Sequence, residues 1–327
     1  MTDVARLADV SHQTVSRVIN GAAHVRDETK ERVLAAMRTL DYRPNAAART
    51  LVTGRSGTLG VVSFDTTLYG PASTLYGIEQ AAHEAGYFIT IVSLKRLDRD
   101  SVLTAVERLR LQGVDGILVI APQEAAAAAL IDLPAQVPLV AVEAGPAGAV
   151  PLVAVDQFAG AVLATRHLLE LGHRSVWHVG GPVDWLEAQQ RTAGWRSALE
   201  DAGAGTPTPL TGDWSPTSGY RLGRELARDD AVTAIFVAND QMALGVLRAL
   251  QEHGRDVPGE ISVVGFDDIP EAEFFLPPLT TVRQKFDEMG RSSLRLLLDV
   301  MESPGVSPAE LTVAPELIVR ASTAAPA

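Results

Sequence analysis

The sequence has no cysteine, few aromatic residues (5%) and no long apolar run. Without cysteine it can form neither a disulfide nor a thiolate metal site, and a reducing compartment is its natural setting. No stretch approaches the ~20 apolar residues that span a bilayer. No basic segment followed by a short apolar one opens the chain, so a cytoplasmic protein with no membrane association is expected. There is no Gly-rich phosphate loop ending in Lys-Ser or Lys-Thr and no His-Glu-x-x-His zinc motif. His167, His173 and His178 lack ligand spacing, so neither a metal nor a cofactor is expected.

What is present is a chain of 327 residues, 46% hydrophobic and 21% charged, with room for two or three structural units. Acidic residues outnumber basic ones, 40 to 28, for a net charge of −12. That charge is unevenly spread. Residues 1–56 carry nine Arg/Lys and six Asp/Glu, net +3, and the remainder carries nineteen and thirty-four, net −15. A small cationic head on an acidic body suits a head that meets phosphate while the body stays clear of it.

Wound as a helix, Ser11 to Asn20 places His12, Gln13, Ser16, Arg17 and Asn20 on one face and Val15, Val18 and Ile19 on the other. The polar face holds hydrogen-bonding side chains and no carboxylate, which DNA would repel. A short apolar helix, Asp3 to Ala8, and an Asp9-Val10 turn precede it, the pattern of a helix-turn-helix. An ordinary surface helix of a small bundle is the competing reading. A third helix is expected over Asp27 to Leu40, with Val33, Leu34, Met37 and Leu40 at helical spacing and Pro44 ending it. Asn45 to Leu51, with Asn45 as N-cap, is too short to be stable alone. It runs into the linker-like Thr53 to Gly57, and reads either as a frayed tail or as a hinge that folds when docked.

From Leu59 onward, short apolar runs alternate with amphipathic stretches. Strands are expected at Leu59–Phe64, Phe88–Leu94, Gly116–Ile120, Pro138–Val142, Leu152–Val155, Ser175–Val179, Ala234–Ala238 and Ile261–Phe266. Helices are expected at Gly77–Ala85, Ser101–Leu111, Phe158–Leu171, Leu186–Ala202, Gly219–Ala227, Asp240–Glu252 and Phe286–Met301. Ala125–Ala129 is a strong helix former, and Ala321–Ala327 reads as a disordered end. Continuously apolar strands separated by helices mean parallel sheets covered on both faces, as one barrel or as two doubly wound lobes.

In such sheets ligands gather beyond the carboxyl ends of strands. The residues there are Asp65, Glu143, Asp156, Gly180-Gly181-Pro182, Asn239-Asp240 and Asp267-Asp268, with Arg191 and Trp214 nearby. Carboxylates, an amide, a guanidinium and an indole together describe a carbohydrate site: polar groups for hydroxyls, an aromatic face for the ring. Asp after a strand is often only a helix cap, and Asp156 and Asp240 are read that way. Arg191, Asn239, Asp267 and Trp214 are the stronger ligand candidates.

Thr14-Val15-Ser16-Arg17-Val18-Ile19-Asn20 and Tyr42-Arg43-Pro44-Asn45-Ala46-Ala47-Ala48-Arg49-Thr50-Leu51 closely resemble the head and hinge of the lactose/galactose repressor family. The body is similar as well, through Gly212-Asp213-Trp214-Ser215, Val237 to Gly245, Ser262-Val263-Val264-Gly265 and Pro277-Pro278-Leu279-Thr280-Thr281. The resemblance spans essentially the whole chain. It implies an all-α helix-turn-helix head over 1–44, a hinge helix and linker over 45–57, and an α/β periplasmic-binding-protein-like body over 58–327. The body's two doubly wound parallel-sheet lobes would take 58–155 with 285–312, and 156–283 with 313–327. It also implies a homodimer, an operator of two half-sites and a sugar effector between the lobes. A tetramerising C-terminal helix found within the family has no counterpart here.

By that resemblance His12, Gln13 and Arg17 read bases, and Ser11, Thr14, Ser16, Asn20 and His24 mostly hold phosphates. Leu51 would wedge into the minor groove beside Ala48, on a hinge begun by Asn45. Leu68 and Pro71 would wall the effector site. Glu143, Arg191, Asn239 and Asp267 would be its polar contacts, Trp214 and Phe286 its aromatic platform, and Gln284 would sit at the lobe crossover. The chain departs from the family at Asp9, where Gly is usual, and at Arg26, a usual Ser cap, so that Asp27 would cap the third helix. Glu143 and Glu187 stand where a shorter Asp and a small Ser occur.

The leading expectation is therefore a transcriptional repressor of carbohydrate-utilisation genes that a β-galactoside or β-glucoside releases from its operator. A co-repressor such as a purine is the alternative within the fold, and Trp214 among carboxylates favours sugar. A secreted sugar-binding transport component conflicts with the cationic head and the missing signal peptide. A sugar-processing enzyme using Asp267 and Asp268 conflicts with the divergent directions of adjacent side chains.

Overall fold

Apolar residues three and four apart build the head of the computed structural model, which describes residues 1–19, 25–42, 54–64, 67–95, 98–131, 137–144, 150–303 and 310–326. Helices α1 (Thr2–Leu7), α2 (His12–Ile19) and α3 (Asp27–Thr39) enclose Val4, Ala5, Ala8, Val15, Val33 and Ala36. Asp9 takes a left-handed φ of 49° in the α1–α2 turn, the position where the resemblance called for glycine. Two expectations for α3 are corrected. Leu34 and Leu40 are exposed, because two short helices cover only a narrow stripe of α3, which Val33, Ala36 and Met37 fill. Asp27 is no cap either: Arg26 holds the N-cap position without a side-chain bond, and Asp27 and Glu28 lie in the first turn. Asn20, His24, Asn45, Ala48 and Leu51, and with them the hinge, lie outside the described residues, as does Asp65.

The body holds two separate six-stranded sheets and no barrel. In the first, β1 (Thr58–Phe64), β2 (Phe88–Leu94), β3 (Gly116–Ile120), β4 (Leu139–Val142), β5 (Leu152–Val155) and β11 (Glu310–Val313) run parallel in the order β11-β5-β4-β3-β1-β2. Helices α4 (Tyr69–Glu84) and α11 (Phe286–Glu302) cover one face through Ile78, Ala81, Met289 and Leu297. The other face packs against α5 (Arg99–Leu111) and the alanine-rich α6 (Glu124–Ile131).

In the second sheet β6 (Trp177–Gly180), β7 (Leu210–Thr211), β8 (Ala234–Val237), β9 (Ser262–Asp267), β10 (Thr280–Arg283) and β12 (Glu316–Ile318) lie in the order β12-β10-β9-β8-β6-β7. Only β12, paired to β10, is antiparallel. Helices α7 (Gln157–Glu170) and α8 (Leu186–Asp201) bury Trp195, Leu168 and Leu199 on one face, and α9 (Pro216–Leu226) and α10 (Asp240–Glu252) cover the other. The chain passes between the sheets three times, from β5 into α7, from β10 into α11 and from β11 into β12.

The end of the chain corrects a further expectation. Rather than being disordered, residues 321–326 are pinned along β9 and β10. Ser322 is fully buried, its carbonyl accepts from Val263 N at 2.8 Å, and its hydroxyl accepts from Thr280 N at 2.8 Å. His173 Nε2 meets the Ala324 carbonyl at 3.1 Å, and His167 Nε2 meets Thr323 Oγ1 at 3.0 Å. Small polar residues made this segment look unstructured, yet their hydroxyls satisfy a sheet edge. Among the described residues no helix is long and apolar enough to cross a membrane.

Candidate functional site

In the head, α2 presents Ser11, His12, Gln13 and Arg17 to solvent, with Thr14 and Ser16 partly covered and Val15 fully buried. Ser11 Oγ accepts from Thr14 N at 3.1 Å and shares a 2.9 Å hydrogen bond with Thr14 Oγ1, which caps the helix. No acidic residue occupies the first turn, so backbone N–H groups and neutral donors face outward together. His12, Gln13 and Arg17 share the exposed side.

In the body, the start of α4, packed on the first sheet, faces the strand ends of the second across a narrow cleft of about 20 Å³. Its walls are Leu68, Tyr69, Gly70, Pro71, Trp185, Glu187, Arg191, Trp214, Asn239, Gln241, Asp267 and Gln284. Seven residues expected from the sequence meet there: Leu68, Pro71, Arg191, Trp214, Asn239, Asp267 and Gln284. Two do not. Phe286 lines a neighbouring cavity and packs edge-on against Tyr69, with ring centroids 5.8 Å apart. Glu143 opens into a third cavity, which shares Glu187 with the cleft.

Arg191 is the hub. Only 2% exposed on α8, it donates from Nε to Gln157 Oε1 at 2.9 Å and from Nη1 to the Ala238 carbonyl. Asp267 Oδ1 and Glu187 Oε2 each lie 3.7 Å from its guanidinium, and Phe266 lies under it with the ring centroid 3.9 Å away. Gln157 Nε2 in turn donates to Gln284 Oε1 at 2.9 Å, and Gln284 Nε2 donates to Asp267 Oδ1 at 2.7 Å. Gln157 and Gln284 begin two of the three crossings, so a buried polar circuit closes where the sheets join.

Burial pushes the Asp267 carboxyl up to about 7 against the opposing pull of Arg191 and Gln284. Glu187 is raised by burial, with Arg191 opposing, and Glu143 is raised well above the usual range by burial and then by Glu187. Backbone strain gathers here. Of the six non-glycine residues with positive φ among those described, four are Glu143 (54°), Trp214 (71°), Asp267 (112°) and Asp268 (55°). Trp214 seats its ring over Gly181, where a Cβ would come within 2.2 Å of the indole. The indole Nε1 is buried and has no hydrogen-bond partner in the structure.

Asn239 lines the cleft as expected, but it also takes the capping role expected of Asp240. Asn239 caps α10, accepting from Met242 N at 2.9 Å, while its Nδ2 donates to the Trp214 carbonyl at 3.2 Å. Asp240 is no cap. Fully buried, it accepts from Ile269 N at 2.9 Å and Thr281 Oγ1 at 2.6 Å, which ties α10 to β9 and β10. Asp156 does cap α7, accepting from Ala159 N at 2.8 Å. Asp267 and Asp268 diverge: Asp268 bonds Arg283 at 2.6 Å and Arg320 at 2.7 Å, away from the cleft. The strand-end reading missed Trp185, Tyr69, Gln241 and Gln157. Gln157 and Gln241 carried a signal, each as the residue after a strand-end Asp.

Trp185 also joins the two halves of the body. Glu124 N donates to the Asp184 carbonyl at 3.2 Å and Leu186 N to the Pro122 carbonyl at 2.9 Å, a short antiparallel bridge reinforced by Gln189 Nε2 on Glu124 Oε1 at 2.8 Å.

A helix-turn-helix head joined to a two-lobed body with a cleft between its sheets defines a ligand-responsive DNA-binding regulator. The comparisons agree. Residues 1–45 match "Bacterial regulatory proteins, lacI family" and residues 165–323 match "Periplasmic binding protein-like domain". The lactose operon repressor of Escherichia coli (strain K12) is 34% identical over 326 residues, 99% of this chain and 90% of that protein. A structure of the Lac repressor dimer bound to operator and the anti-inducer ONPF superposes with a TM-score of 0.88, at 34% identity over 99% of this chain and 98% of that one. The repressor PurR of Mannheimia succiniciproducens is 33% identical over 98% of this chain and 97% of its own length. The regulator CelR in complex with cellobiose is 33% identical, with a TM-score of 0.73 and 98% coverage of both chains. The chain belongs to the lacI family of bacterial regulatory proteins. It is a DNA-binding transcriptional repressor with a ligand-binding body, and not an enzyme.

Proposed function

We propose that the effector is a sugar, of β-galactoside or β-glucoside type, and that its binding in the cleft releases the repressor from its operator. One observation carries the reading: the buried indole N–H of Trp214 has no acceptor, and the same residue lines the cleft with the carboxyls of Glu187 and Asp267. Each sugar hydroxyl donates and accepts at once, so adjacent hydroxyls answer both. Leu68, Pro71 and Trp214 contact the ring, while Arg191, Asn239, Asp267 and Gln284 hold hydroxyls. Glu143 and Phe286 act from the flanking cavities. With about 20 Å³ of space the cleft holds about one water in this structure, so it widens to admit a sugar ring. The sugar-bound state of CelR supports the same class.

A purine co-repressor fits less well. Trp185 and Trp214 meet at 73°, an edge-to-face pair that leaves no parallel slot for a flat base.

In this reading residues 1–44 form the head, 45–57 the hinge and linker, and 58–327 the body. Lobe 1 takes 58–155 with 285–312, and lobe 2 takes 156–283 with 313–327. Two copies pair through their bodies to present two α2 helices to two half-sites, with Ser11, His12, Gln13, Thr14, Ser16 and Arg17 at the DNA.

Fluorescence anisotropy with labelled operator tests the proposal. Methyl β-galactoside or cellobiose should weaken operator binding, typically 5- to 150-fold for allosteric coupling. Tighter binding on adding guanine or hypoxanthine, with no response to glycosides, would overturn it.

A further inference from the structure

Glu143 is a buried carboxyl with an unsatisfied oxygen. It is 5% exposed, and its Oε1 has no hydrogen-bond partner in the structure, while the carboxyl group lies near the Val155 amide and the Gln157 side chain. It lines a cavity of about 260 Å³ that adjoins the cleft. Glu143, Asp156, Glu187 and Glu310 are among that cavity's walls, and no Lys, Arg or His is. Among the described residues Arg191 is the guanidinium in reach, and Glu187 and Asp267 at 3.7 Å already share it. Burial with so little cationic support raises the carboxyls of Glu143 and Glu187, and a positive partner would restore their charged forms. A metal ion does not supply it: among the described residues no group of three His, Cys, Asp or Glu could hold one. An ammonium borne on the ligand remains. It carries three donors and no acceptor, which suits the carboxyls of Glu143 and Glu187 in a wall that also holds Gln157, Gln190 and Thr312.

We propose that the effector is a glycoside bearing a primary amine, with its ring in the cleft and its ammonium in the adjoining cavity beside the carboxyl groups of Glu143 and Glu187. Glu187 lines both spaces, so a ring seated beside Arg191 and Trp214 need project only one substituent past it. The residue types matter at both positions. A Gln at 143 keeps the shape but removes the charge, and a shorter side chain at 187 withdraws the second acceptor. The inference rests on the sugar reading above and narrows it.

Isothermal titration of the full chain near pH 7 tests it with three sets of ligands: methyl 2-amino-2-deoxy- and 6-amino-6-deoxy-β-glycosides, their N-acetyl forms, and the parent methyl β-glucoside and β-galactoside. Ethanolamine provides the amine without the ring. An aminoglycoside should bind about 10- to 100-fold tighter than its parent and its N-acetyl form, the range of a charged hydrogen bond. Ethanolamine should not bind measurably. Glu143→Gln should erase the difference between amine and parent, and Glu143→Asp, a milder change, should reduce it should the Gln variant fail to fold. Parent glycosides that bind and release operator as well as the amines do would overturn this inference and leave the sugar proposal standing. Silence from every sugar would overturn both. Ethanolamine binding as tightly as the aminoglycosides would assign the chamber to a free amine and overturn the glycoside.

Discussion

Asp267 is positioned to make the body sensitive to pH. Its carboxyl titrates near 4 when the chain is unfolded and is pushed up to about 7 by burial when folded. Between those values the folded state holds a proton that the unfolded state has released, so stability falls as pH rises through that window. Glu143 and Glu187, raised in the same direction, add to the slope. Replacing Asp267 by Asn removes one titrating group, and melting temperatures from pH 4 to pH 8 should fall less steeply in that variant. Arg191→Ala should act on the same circuit from the other side. It strips the cation from Asp267 and Glu187 and the donor from Gln157 Oε1, and loss of one partner from a buried pair costs about 3–5 kcal/mol. The damage should be greater at pH 8 than at pH 5, where the carboxyls can take up protons instead, and the response to sugar should vanish at both. A normal induction curve for this variant would remove Arg191 from the effector site.

At the level of elements, the helix pairs of the body are held at distances only glycine permits. Gly245 on α10 faces α9 so closely that a Cβ would lie 2.0 Å from the Pro216 carbonyl oxygen. Gly77 and Gly290 make the same approach between α4 and α11, where a Cβ on Gly77 would sit 2.3 Å from the Phe286 carbonyl oxygen. Gly245→Ala should therefore cost about 1–3 kcal/mol by overpacking, read as a lower midpoint in urea with an unchanged slope. How well elements could be foreseen from sequence follows their length and burial. Apolar runs such as Ile117–Ile120 and Ile235–Val237 stand out because both faces of the strand are covered. The short strands β7, β10, β11 and β12 did not stand out: β7 has two residues, and β11 shows three exposed positions. Helices α4 and α9 begin earlier than their apolar spacing indicates, since their first turns face the cleft or carry a Pro. The site was legible wherever a chemically distinctive residue follows a strand, as with Asn239 and Asp267. Trp185 was not, because its place depends on the other half of the body. The burial of Asp240 away from the helix cap is likewise set by tertiary partners, Thr281 and Ile269, that lie far along the chain.

For the molecule as a whole, the division of charge sets how it meets DNA. The body's net −15 is repelled by phosphate and the head's net +3 is attracted, so association should be carried by the head and should weaken steeply with salt. Arg17→Ala should cost about 1–3 kcal/mol of operator binding and relax base choice at the position it reads. An equal loss on random-sequence DNA, measured by anisotropy at fixed ionic strength, would show that Arg17 holds phosphate rather than a base.

The bridge between Pro122–Glu124 and Asp184–Leu186 bears on time rather than affinity. Trp185 belongs to both the bridge and the cleft wall, and its ring lies 6.3 Å from Phe64 and 5.6 Å from Trp214. We expect ligand entry to Arg191 to require that bridge to open. Binding should then be limited at high ligand concentration by a first-order opening step, and stopped-flow tryptophan fluorescence should show a rate that levels off instead of rising linearly. Cutting the Gln189–Glu124 bond with Gln189→Ala should raise that plateau. Repression would thus lift only after a delay set inside the protein, and a brief pulse of sugar would pass without a response.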